Sequence, residues 1–357
     1  MKVVTVLGAR PQFIKAAPVS REFKSAGIEE VLVHTGQHFD HNMSQVFFEE
    51  MEIPTPQYNL EISGLHHGAM TGRMLEKIEV ALMNEKPDWV LVYGDTNSTL
   101  AGAMAAVKLH IPVAHVEAGL RSFEMKMPEE VNRILTDRIS TLLFCPTTTA
   151  VDNLEAEGFR TFGSRLILSG DVMFDAVEYY RSRIDTHATV LGKENVKAPF
   201  LLATLHRAEN TNDPVRLSAI CSALNAINRQ VSIVLPLHPR TKAFLASHQI
   251  QLEAQVIDPV GYFDMLALLQ ACSLVLTDSG GLQKEAYFFG KFCITLRDQT
   301  EWVELVKAGA NALAGADSTK IIALFQQHYQ QPVAMRSGLY GDGHAAAKIA
   351  RELIDFR

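Results

Sequence analysis

The chain has 357 residues, of which 47% are hydrophobic and 20% are charged, and this globular composition excludes a largely disordered protein. Its formal net charge of -7 argues against nucleic acid or anionic membranes as partners, so an anionic ligand would need a few placed cations and backbone amides. No apolar run is long enough to cross a bilayer and no secretory leader is recognisable, which predicts a soluble, cytoplasmic protein.

Short, apolar, β-rich segments alternate with helical patterns along the first half of the chain. The segments are apolar on both faces, which is typical of parallel strands covered by helices on each side. The predicted strands are residues 3–7, 31–34, 89–93, 113–116, 142–145 and 166–168, and the helices between them include residues 13–25, 72–84 and 96–109. This βαβ rhythm predicts a doubly wound parallel sheet.

A second series of the same kind begins at residue 200, after a polar, weakly periodic stretch at 182–199. Its predicted strands are residues 200–205, 232–237, 255–257, 273–276 and 293–296, and its helices are residues 214–227, 262–272 and 282–289. We therefore predict an α/β protein with two Rossmann-like domains, residues 1–171 and 172–343, and a last helix within 344–357 that could pack back on the first domain. Ligands of such sheets bind beyond the carboxyl ends of the strands, so residues there carry the most functional weight.

The first predicted strand ends in a candidate anion site. Gly8 and Pro11 follow it, with Arg10 between them and Lys15 in the helix that begins there. Glycine lets the backbone approach a ligand, and the free amides of a helix N-terminus favour anions. The alternative is a tight turn with two solvated cations.

Three acidic positions are candidates for proton transfer. Asp95 follows the strand at 89–93, where it could either cap the next helix or present its carboxylate to a ligand. Glu117 ends an otherwise apolar strand, where an unpaired charge is costly, and this favours a functional role. Glu129 and Glu130 open a predicted helix, but acidic residues there also stabilise the helix dipole, so the pair alone is weak evidence.

The second half has two candidate sites at strand ends. His206 directly follows a strand, and a histidine there suits contact with a diphosphate or proton transfer. Ser279, Gly280 and Gly281 lie between a strand and a helix, where bare amides can hold a diphosphate. Glu285 lies about one turn further on, where its carboxylate could accept hydrogen bonds from two ribose hydroxyls. This pattern favours a nucleotide site over a plain turn.

Several common sites are not indicated by the sequence. No Gly-x-Gly-x-x-Gly pattern follows a predicted strand, which argues against a nicotinamide cofactor bound in the usual way. No histidine, cysteine or acidic cluster has the spacing of zinc ligands, so no metal is predicted. The four widely spaced cysteines are predicted to be reduced thiols packed as small hydrophobic side chains.

Taken together, the motifs resemble a known family. In order they are residues 8–12 (Gly-Ala-Arg-Pro-Gln) with Lys15, 94–96 (Gly-Asp-Thr), 115–121 (His-Val-Glu-Ala-Gly-Leu-Arg), 128–130 (Pro-Glu-Glu), 205–207 (Leu-His-Arg) and 278–281 (Asp-Ser-Gly-Gly). Over nearly the whole chain this combination resembles the non-hydrolysing UDP-N-acetylglucosamine 2-epimerases. The resemblance implies two Rossmann-like domains in the glycosyltransferase-B arrangement, facing a cleft, usually in a homodimer, with a UDP-amino-sugar as substrate and no cofactor.

The resemblance also implies residue roles. The residues that would hold UDP are Arg10, Lys15, Ser279, Gly280, Gly281 and Glu285, and the catalytic residues would be Asp95, Glu117, Glu129 and His206. The family mechanism is an anti-elimination of UDP to a glycal, followed by re-addition with the opposite configuration at C2. We assign proton transfer to Asp95 and Glu117 and stabilisation of the leaving UDP to His206.

Three segments resemble one subgroup most. They are residues 36–40, 121–123 and 301–304, the last of which has Trp302 where an arginine is common in the family. The subgroup epimerises UDP-2,3-diacetamido-2,3-dideoxy-glucuronate to the mannuronate form for O-antigen assembly. Its sugar carboxylate needs a cation, for which Arg121 and Lys126 are candidates. The alternatives are a UDP-N-acetylglucosamine 2-epimerase and a UDP-sugar glycosyltransferase of the same architecture.

Overall fold

The structure is a computed structural model that describes residues 1–37, 48–331, 333 and 336–356. The chain forms two compact units. Unit 1 comprises Met1–Glu178 and the C-terminal segment that starts at Ser337, and unit 2 comprises Tyr179–Arg336.

Unit 1 is built on a parallel sheet of seven strands in the order β3-β2-β1-β4-β5-β6-β7. The strands are β1 (Lys2–Leu7), β2 (Glu29–His34), β3 (Tyr58–Asn59), β4 (Trp89–Tyr93), β5 (Val113–Val116), β6 (Leu142–Cys145) and β7 (Arg165–Leu168). The helices are α1 (Arg10–Ser25), α2 (His67–Glu85), α3 (Asn97–Lys108), α4 (Pro128–Ile139), α5 (Thr148–Ala156) and α6 (Val172–Arg181), with the C-terminal helix Ala345–Asp355. The strand order reverses between β1 and β4, so the ligand-binding position of such a sheet lies at their carboxyl ends.

Unit 2 has a parallel sheet of six strands in the order β10-β9-β8-β11-β12-β13. The strands are β8 (Phe200–Thr204), β9 (Ser232–Pro236), β10 (Gln255–Ile257), β11 (Val275–Thr277), β12 (Cys293–Thr295) and β13 (Asn311–Leu313). The helices are α7 (Ile184–His187), α8 (Val190–Lys193), α9 (Ala208–Thr211), α10 (Pro214–Asn228), α11 (Pro239–Ser247), α12 (Tyr262–Ala271), α13 (Gly280–Phe288), α14 (Val303–Lys307) and α15 (Ser318–His328). The order reverses between β8 and β11, so the corresponding position lies after these two strands.

The predicted α/β class with two doubly wound sheets is confirmed. Strand β4 is buried along its whole length, as expected of a strand with helices on both faces. Helix α3 lies against β1 and β4 through small residues: a Cβ on Gly102 would lie 3.1 Å from side-chain atoms of Val6 and Val92. This close packing holds the middle of α3 directly against β1 and β4.

The C-terminal segment belongs to unit 1. The amide of Asp171 donates to the carbonyl oxygen of Tyr340 (2.9 Å), and the Asp175 carboxylate accepts from the amide of Ala346 (2.7 Å). The C-terminal helix packs against α1. Because these contacts hold the segment, the units divide at residues 178 and 337, whereas the sequence boundaries were 171 and 343.

The four cysteines are buried free thiols, as predicted. Burial raises the pKa of Cys221 to about 11, so the thiol form dominates at neutral pH. Within the described ranges, no helix has the length and apolar character needed to span a membrane.

Candidate active site

The backbone amides in the turn after β1 form hydrogen bonds with a side chain of the following helix. The amides of Gly8 and Ala9 donate to the side-chain oxygen of Gln12 (2.8 and 3.0 Å). A Cβ on Gly8 would lie 1.9 Å from the hydroxyl oxygen of Thr35. This close contact explains why the position is a glycine without any approach of a ligand. Arg10, at the start of α1, is half-buried at the same edge.

Lys15 and Glu117 form a buried ion pair at this edge of the sheet. The Lys15 ammonium contacts the Glu117 carboxylate, and the two side chains are 10% and 7% exposed. A Cβ on Gly94 would lie 3.2 Å from both charged groups, so the pair lies against the turn that follows β4. Lys15, predicted to hold UDP, is therefore the direct partner of a predicted catalytic carboxylate.

The backbone of Glu117 is strained. Its φ of +72° lies in the left-handed region, which costs a residue other than glycine on the order of 1–3 kcal/mol. The conformation is held because the amides of Glu117 and Ala118 both donate to the carbonyl oxygen of Phe144 (3.1 and 3.0 Å). Such strain is concentrated at functional sites, which supports the functional interpretation of Glu117.

Asp95 presents its carboxylate at the same edge and does not cap the next helix. The cap of α3 is Thr96, whose hydroxyl accepts from the amide of Thr99 (3.3 Å). The Asp95 carboxylate instead accepts from the guanidinium of Arg133, and the Asp95 side chain remains 29% exposed. The capping alternative for Asp95 is wrong.

The two adjacent glutamates of α4 have different environments. Glu130 is completely buried and accepts from the backbone amides of Ser122 and Phe123 and from the Ser122 hydroxyl. Glu129 is half-buried, and its side chain makes no hydrogen bond to another residue in the described part of the chain. Of the two, Glu129 has the carboxylate that remains available to a ligand.

Arg121 lies inside a closed network of charges. Its guanidinium donates to both carboxylate oxygens of Glu157 (2.7 and 2.8 Å) and to Asp137 (2.7 Å), and its side chain is 1% exposed. These contacts argue against the predicted contact of Arg121 with a sugar carboxylate. Lys126 is exposed, so it remains a candidate for that role.

The same network reaches the two turns that carry Asp95 and Glu117. One ring nitrogen of His115 lies 2.7 Å from a carboxylate oxygen of Asp137, and the other lies 2.7 Å from the carbonyl oxygen of Gly94. Asp137 also accepts from the amide of Gly119 (3.2 Å). Burial opposes ionisation of Asp137, but the hydrogen bonds and charges of His115 and Arg121 outweigh it and lower the Asp137 pKa. Asp137 was missed by the sequence analysis because the buried face of α4 consists of polar residues, so no hydrophobic pattern marks it as buried.

In unit 2, the turn after β11 begins a helix, as predicted. The hydroxyl of Ser279 accepts from the amide of Leu282 (3.4 Å), and Gly280 and Gly281 form the first turn of α13. Free amides in the first turn of a helix carry a partial positive charge, which favours anions. Glu285 follows in the same helix and is 5% exposed.

Asp278, which precedes Ser279, orients the turn after β8. Its buried carboxylate accepts from the amides of His206 (3.1 Å) and Arg207 (3.0 Å). It also lies 3.2 Å from a ring nitrogen of His206, whose side chain is 52% exposed. The structure therefore places His206 and Ser279 together at one sheet edge, joined by an aspartate to which the sequence analysis assigned no role.

Trp302 lies next to the start of α13. The ammonium of the buried Lys284 lies 4.0 Å from the centre of the indole ring, a cation–π contact. Glu301 accepts from the guanidinium of Arg297 (3.0 Å). A Cβ on Gly280 would lie 2.5 Å from the Glu301 carboxylate, so a larger residue at this position would displace that side chain.

Two further predictions concern the subgroup segment at residues 36–40 and the presence of a metal site. Of the subgroup segment at 36–40, Gln37 accepts from the amide and hydroxyl of Ser98 (3.2 and 2.9 Å), and residues 38–40 lie outside the described residues. Among the described residues, no group of three or more histidine, cysteine or acidic side chains is arranged to hold a metal ion.

Two doubly wound parallel sheets, each with polar side chains at its switch point, define a protein of the Rossmann-like α/β class. The model of the UDP-N-acetylglucosamine 2-epimerase family matches residues 21–354. A UDP-2,3-diacetamido-2,3-dideoxy-D-glucuronate 2-epimerase of Pseudomonas aeruginosa is 55% identical, with 99% of each chain covered. A UDP-N-acetylglucosamine 2-epimerase of Salmonella typhimurium is 34% identical, covering 100% of this chain and 99% of the relative.

A crystal structure of the Methanocaldococcus jannaschii UDP-GlcNAc 2-epimerase in complex with UDP-GlcNAc and UDP matches with a TM-score of 0.93. It is 41% identical, and 99% of each chain is covered. The chain therefore belongs to the UDP-N-acetylglucosamine 2-epimerase family, and the resemblance seen in its motifs is confirmed.

Proposed function

We propose that this protein is a non-hydrolysing UDP-sugar 2-epimerase whose substrate is UDP-2,3-diacetamido-2,3-dideoxy-glucuronate, which it converts to the mannuronate form for O-antigen assembly. The 55% identity to a curated enzyme of that name supports the substrate. The observation that carries the chemistry is the set of carboxylates at one edge of unit 1: Glu117 on a strained turn, with Asp95 after the neighbouring strand.

The proposed reaction has two balanced steps. In the first, a carboxylate removes the proton from C2 while the bond between C1 and the phosphate oxygen breaks, which gives UDP and a glycal with a C1–C2 double bond. In the second, a proton is added to C2 from the opposite face and the phosphate oxygen bonds again to C1. Two carboxylates on separate turns suit this reaction because the proton must be handled on both faces. We assign this work to Asp95 and Glu117, with Glu129 next to them in the catalytic set.

UDP is proposed to be held by unit 2 and by Arg10. The amides at the start of α13 and the hydroxyl of Ser279 would bind the diphosphate, and Glu285 would bind the ribose. His206, oriented by Asp278, would stabilise the charge that develops on the departing phosphate. Lys15 then has a second role, because its contact with Glu117 fixes the position of that carboxylate.

The test is proton NMR of the purified protein with a UDP-sugar in D2O. Epimerisation with deuterium uptake at C2 needs no acceptor, so it separates an epimerase from a glycosyltransferase, and release of free sugar would identify a hydrolysing enzyme. We expect Glu117→Gln to lose most of the turnover. Near-normal epimerisation by this variant would contradict the assignment of Glu117, and no C2 exchange with any UDP-amino-sugar would contradict the proposed function.

A UDP-N-acetylglucosamine 2-epimerase is the second candidate. It is favoured by the full-length match to the Methanocaldococcus jannaschii structure that contains UDP-GlcNAc. A panel that compares UDP-N-acetylglucosamine with the diacetamido-glucuronate separates the two. Faster turnover of UDP-N-acetylglucosamine would overturn our substrate proposal and leave the epimerase proposal intact.

The proposal extends to assembly and location. We propose a homodimer in the cytoplasm, as the resemblance to the family implies. Light scattering on the eluting protein measures the mass in solution. A mass near twice the 39.5 kDa of one chain is expected, and a monomer at working concentration would contradict it.

A further inference from the structure

Three residues near the start of α4 hold the segments around the proposed catalytic carboxylates. The side-chain amide of Asn132 donates to the carbonyl oxygen of Asp95 (3.0 Å). Arg133 donates to the carboxylate of Asp95 with one guanidinium nitrogen and to that of Glu130 with another (2.6 Å). Because Glu129 belongs to the same helical turn, α4 connects two of the three proposed catalytic carboxylates.

Glu130 extends this connection to a loop. It accepts from the amide (3.0 Å) and hydroxyl (2.9 Å) of Ser122 and from the amide of Phe123 (2.9 Å). Phe123 has a φ of +60°, a strained conformation for an aromatic residue, and its side chain is 77% exposed. No packing of that side chain accounts for the strain, so the hydrogen bonds to Glu130 are what hold this turn.

Stability alone does not explain the Arg133–Glu130 pair. Both side chains are almost completely buried, at 3% and 1% exposure. A buried ion pair is often no more stabilising than hydrophobic residues of the same volume, because both charges lose their hydration. A planar guanidinium, however, can contact two carboxylates at fixed angles, and this geometry is specific to arginine.

We propose that Arg133 is a positioning residue that fixes the carboxylate of Asp95 relative to Glu129, and that Glu130 fixes Arg133 and the turn at Ser122 and Phe123. This inference rests on the proposed 2-epimerase function and deepens it. Neither Arg133 nor Glu130 is required to touch the substrate. Their effect is on the rate of proton transfer at C2, and binding of UDP is independent of them.

The test uses two substitutions of Arg133 in the full-length protein. Arg133→Lys keeps one positive charge but cannot contact both carboxylates, and Arg133→Ala opens a space beside the partly exposed Asp95. We expect kcat to fall about 100-fold in each, the loss typical of a misplaced catalytic group, with KM and the affinity for UDP within about 3-fold of the parent. Guanidinium ion, at concentrations that leave the parent folded and active, should restore part of kcat in Arg133→Ala and none in Arg133→Lys.

Arg165→Ala is the matched control. Arg165 lies in the same unit, pairs with Glu352 (2.9 Å) and is 52% exposed, so its removal should leave kcat unchanged with or without guanidinium. Glu130→Gln gives an independent measurement: it keeps the shape of the side chain but loses its charge, and we expect kcat to fall while circular dichroism stays that of the parent.

Three results would overturn the inference. One is a kcat within 3-fold of the parent in both Arg133 variants. Another is a loss of UDP affinity as large as the loss of kcat, which would indicate general disruption of the fold. The third is a guanidinium-induced rise in kcat of the Arg165→Ala control as large as that in Arg133→Ala, which would show that the effect is not specific to the site of Arg133. A parent protein that exchanges no C2 proton would instead refute the proposed function, and the inference with it.

Discussion

Asp175 gives the protein a pH-dependent stability that can be calculated from the structure. Its side chain is 8% exposed and accepts from the amide of Ala346 at the start of the C-terminal helix. Burial raises the pKa of Asp175 from 3.8 to about 6, against the opposing effect of hydrogen bonds from Ala346 and Ala345. The folded state therefore binds this proton more tightly than the unfolded state does.

The sign of the effect follows from this difference. Stability from Asp175 is fully present below pH 3.8 and is lost as the pH rises to about 6, because the ionised carboxylate must then be buried. The difference between the two pKa values corresponds to about 3 kcal/mol. Asp175→Asn removes the ionisation and keeps an oxygen that can accept from Ala346. We expect the variant to be more stable than the parent by up to about 3 kcal/mol at pH 7, with the difference disappearing toward pH 4.

The measurement is urea unfolding followed by the fluorescence of Trp89, in a Trp302→Phe background that removes the other tryptophan. Trp89 reports on unit 1 because its ring contacts that of Phe356 (5.1 Å between centroids), directly after the C-terminal helix. The parent with Trp302→Phe alone is the control. A stability difference that is constant from pH 4 to pH 7, or that grows as the pH falls, would refute the reasoning.

Three further substitutions test other parts of the structure. Asp137→Asn should lower the free energy of unfolding at neutral pH, and because the pKa of Asp137 is lowered in the folded state, the stability difference from the parent should shrink as the pH falls below about 4. Urea unfolding at several pH values measures this difference, and a difference that does not change with pH would contradict the prediction. Gly8→Ala should lower the melting temperature because the added Cβ would lie 1.9 Å from the Thr35 hydroxyl. Calorimetry measures the melting temperature, and an unchanged value would contradict this prediction. Asp278→Asn should lower kcat by releasing His206, with the folded state retained by circular dichroism; an unaltered kcat would leave Asp278 without a positioning role.

Much of the fold was predictable because buried parallel strands have a strong local signal. Strand β4 is a continuous apolar run and β5 is one except for His115, and the bounds of both agree with the prediction. The edge strand β3 was missed because it has only two residues, too few for a hydrophobic period to be visible, and β13 (Asn-Ala-Leu) was missed because it begins with a polar residue and is not a continuous apolar run.

The candidate site was predictable only in part. Asp95, Glu117 and His206 were predicted as candidates because each follows a strand. The structure places Asp95 and Glu117 at one edge of the unit 1 sheet, and His206 lies at an edge of the unit 2 sheet. Their partners were not, since pairing depends on residues far apart in the chain: Lys15 and Glu117 are separated by 102 positions. For the same reason Arg121 was predicted to meet a ligand, whereas Asp137 and Glu157 occupy its guanidinium.

The acidic residues of this region differ in how much of each carboxylate is exposed. Asp95 is 29% exposed and Glu117 is 7% exposed, whereas Asp137 and Glu130 are at 1% or less. The exposure of a carboxylate cannot be predicted from residue type or from position in the sequence alone. Glu129 and Glu130 are neighbours in sequence but point about 100° apart around α4. The fully buried Asp137 and Glu130 hold the strained turns, Glu117 is buried against Lys15, and Asp95 keeps the most exposed carboxylate of the four, so the environment of each acidic residue follows from where the helix and strand ends place it.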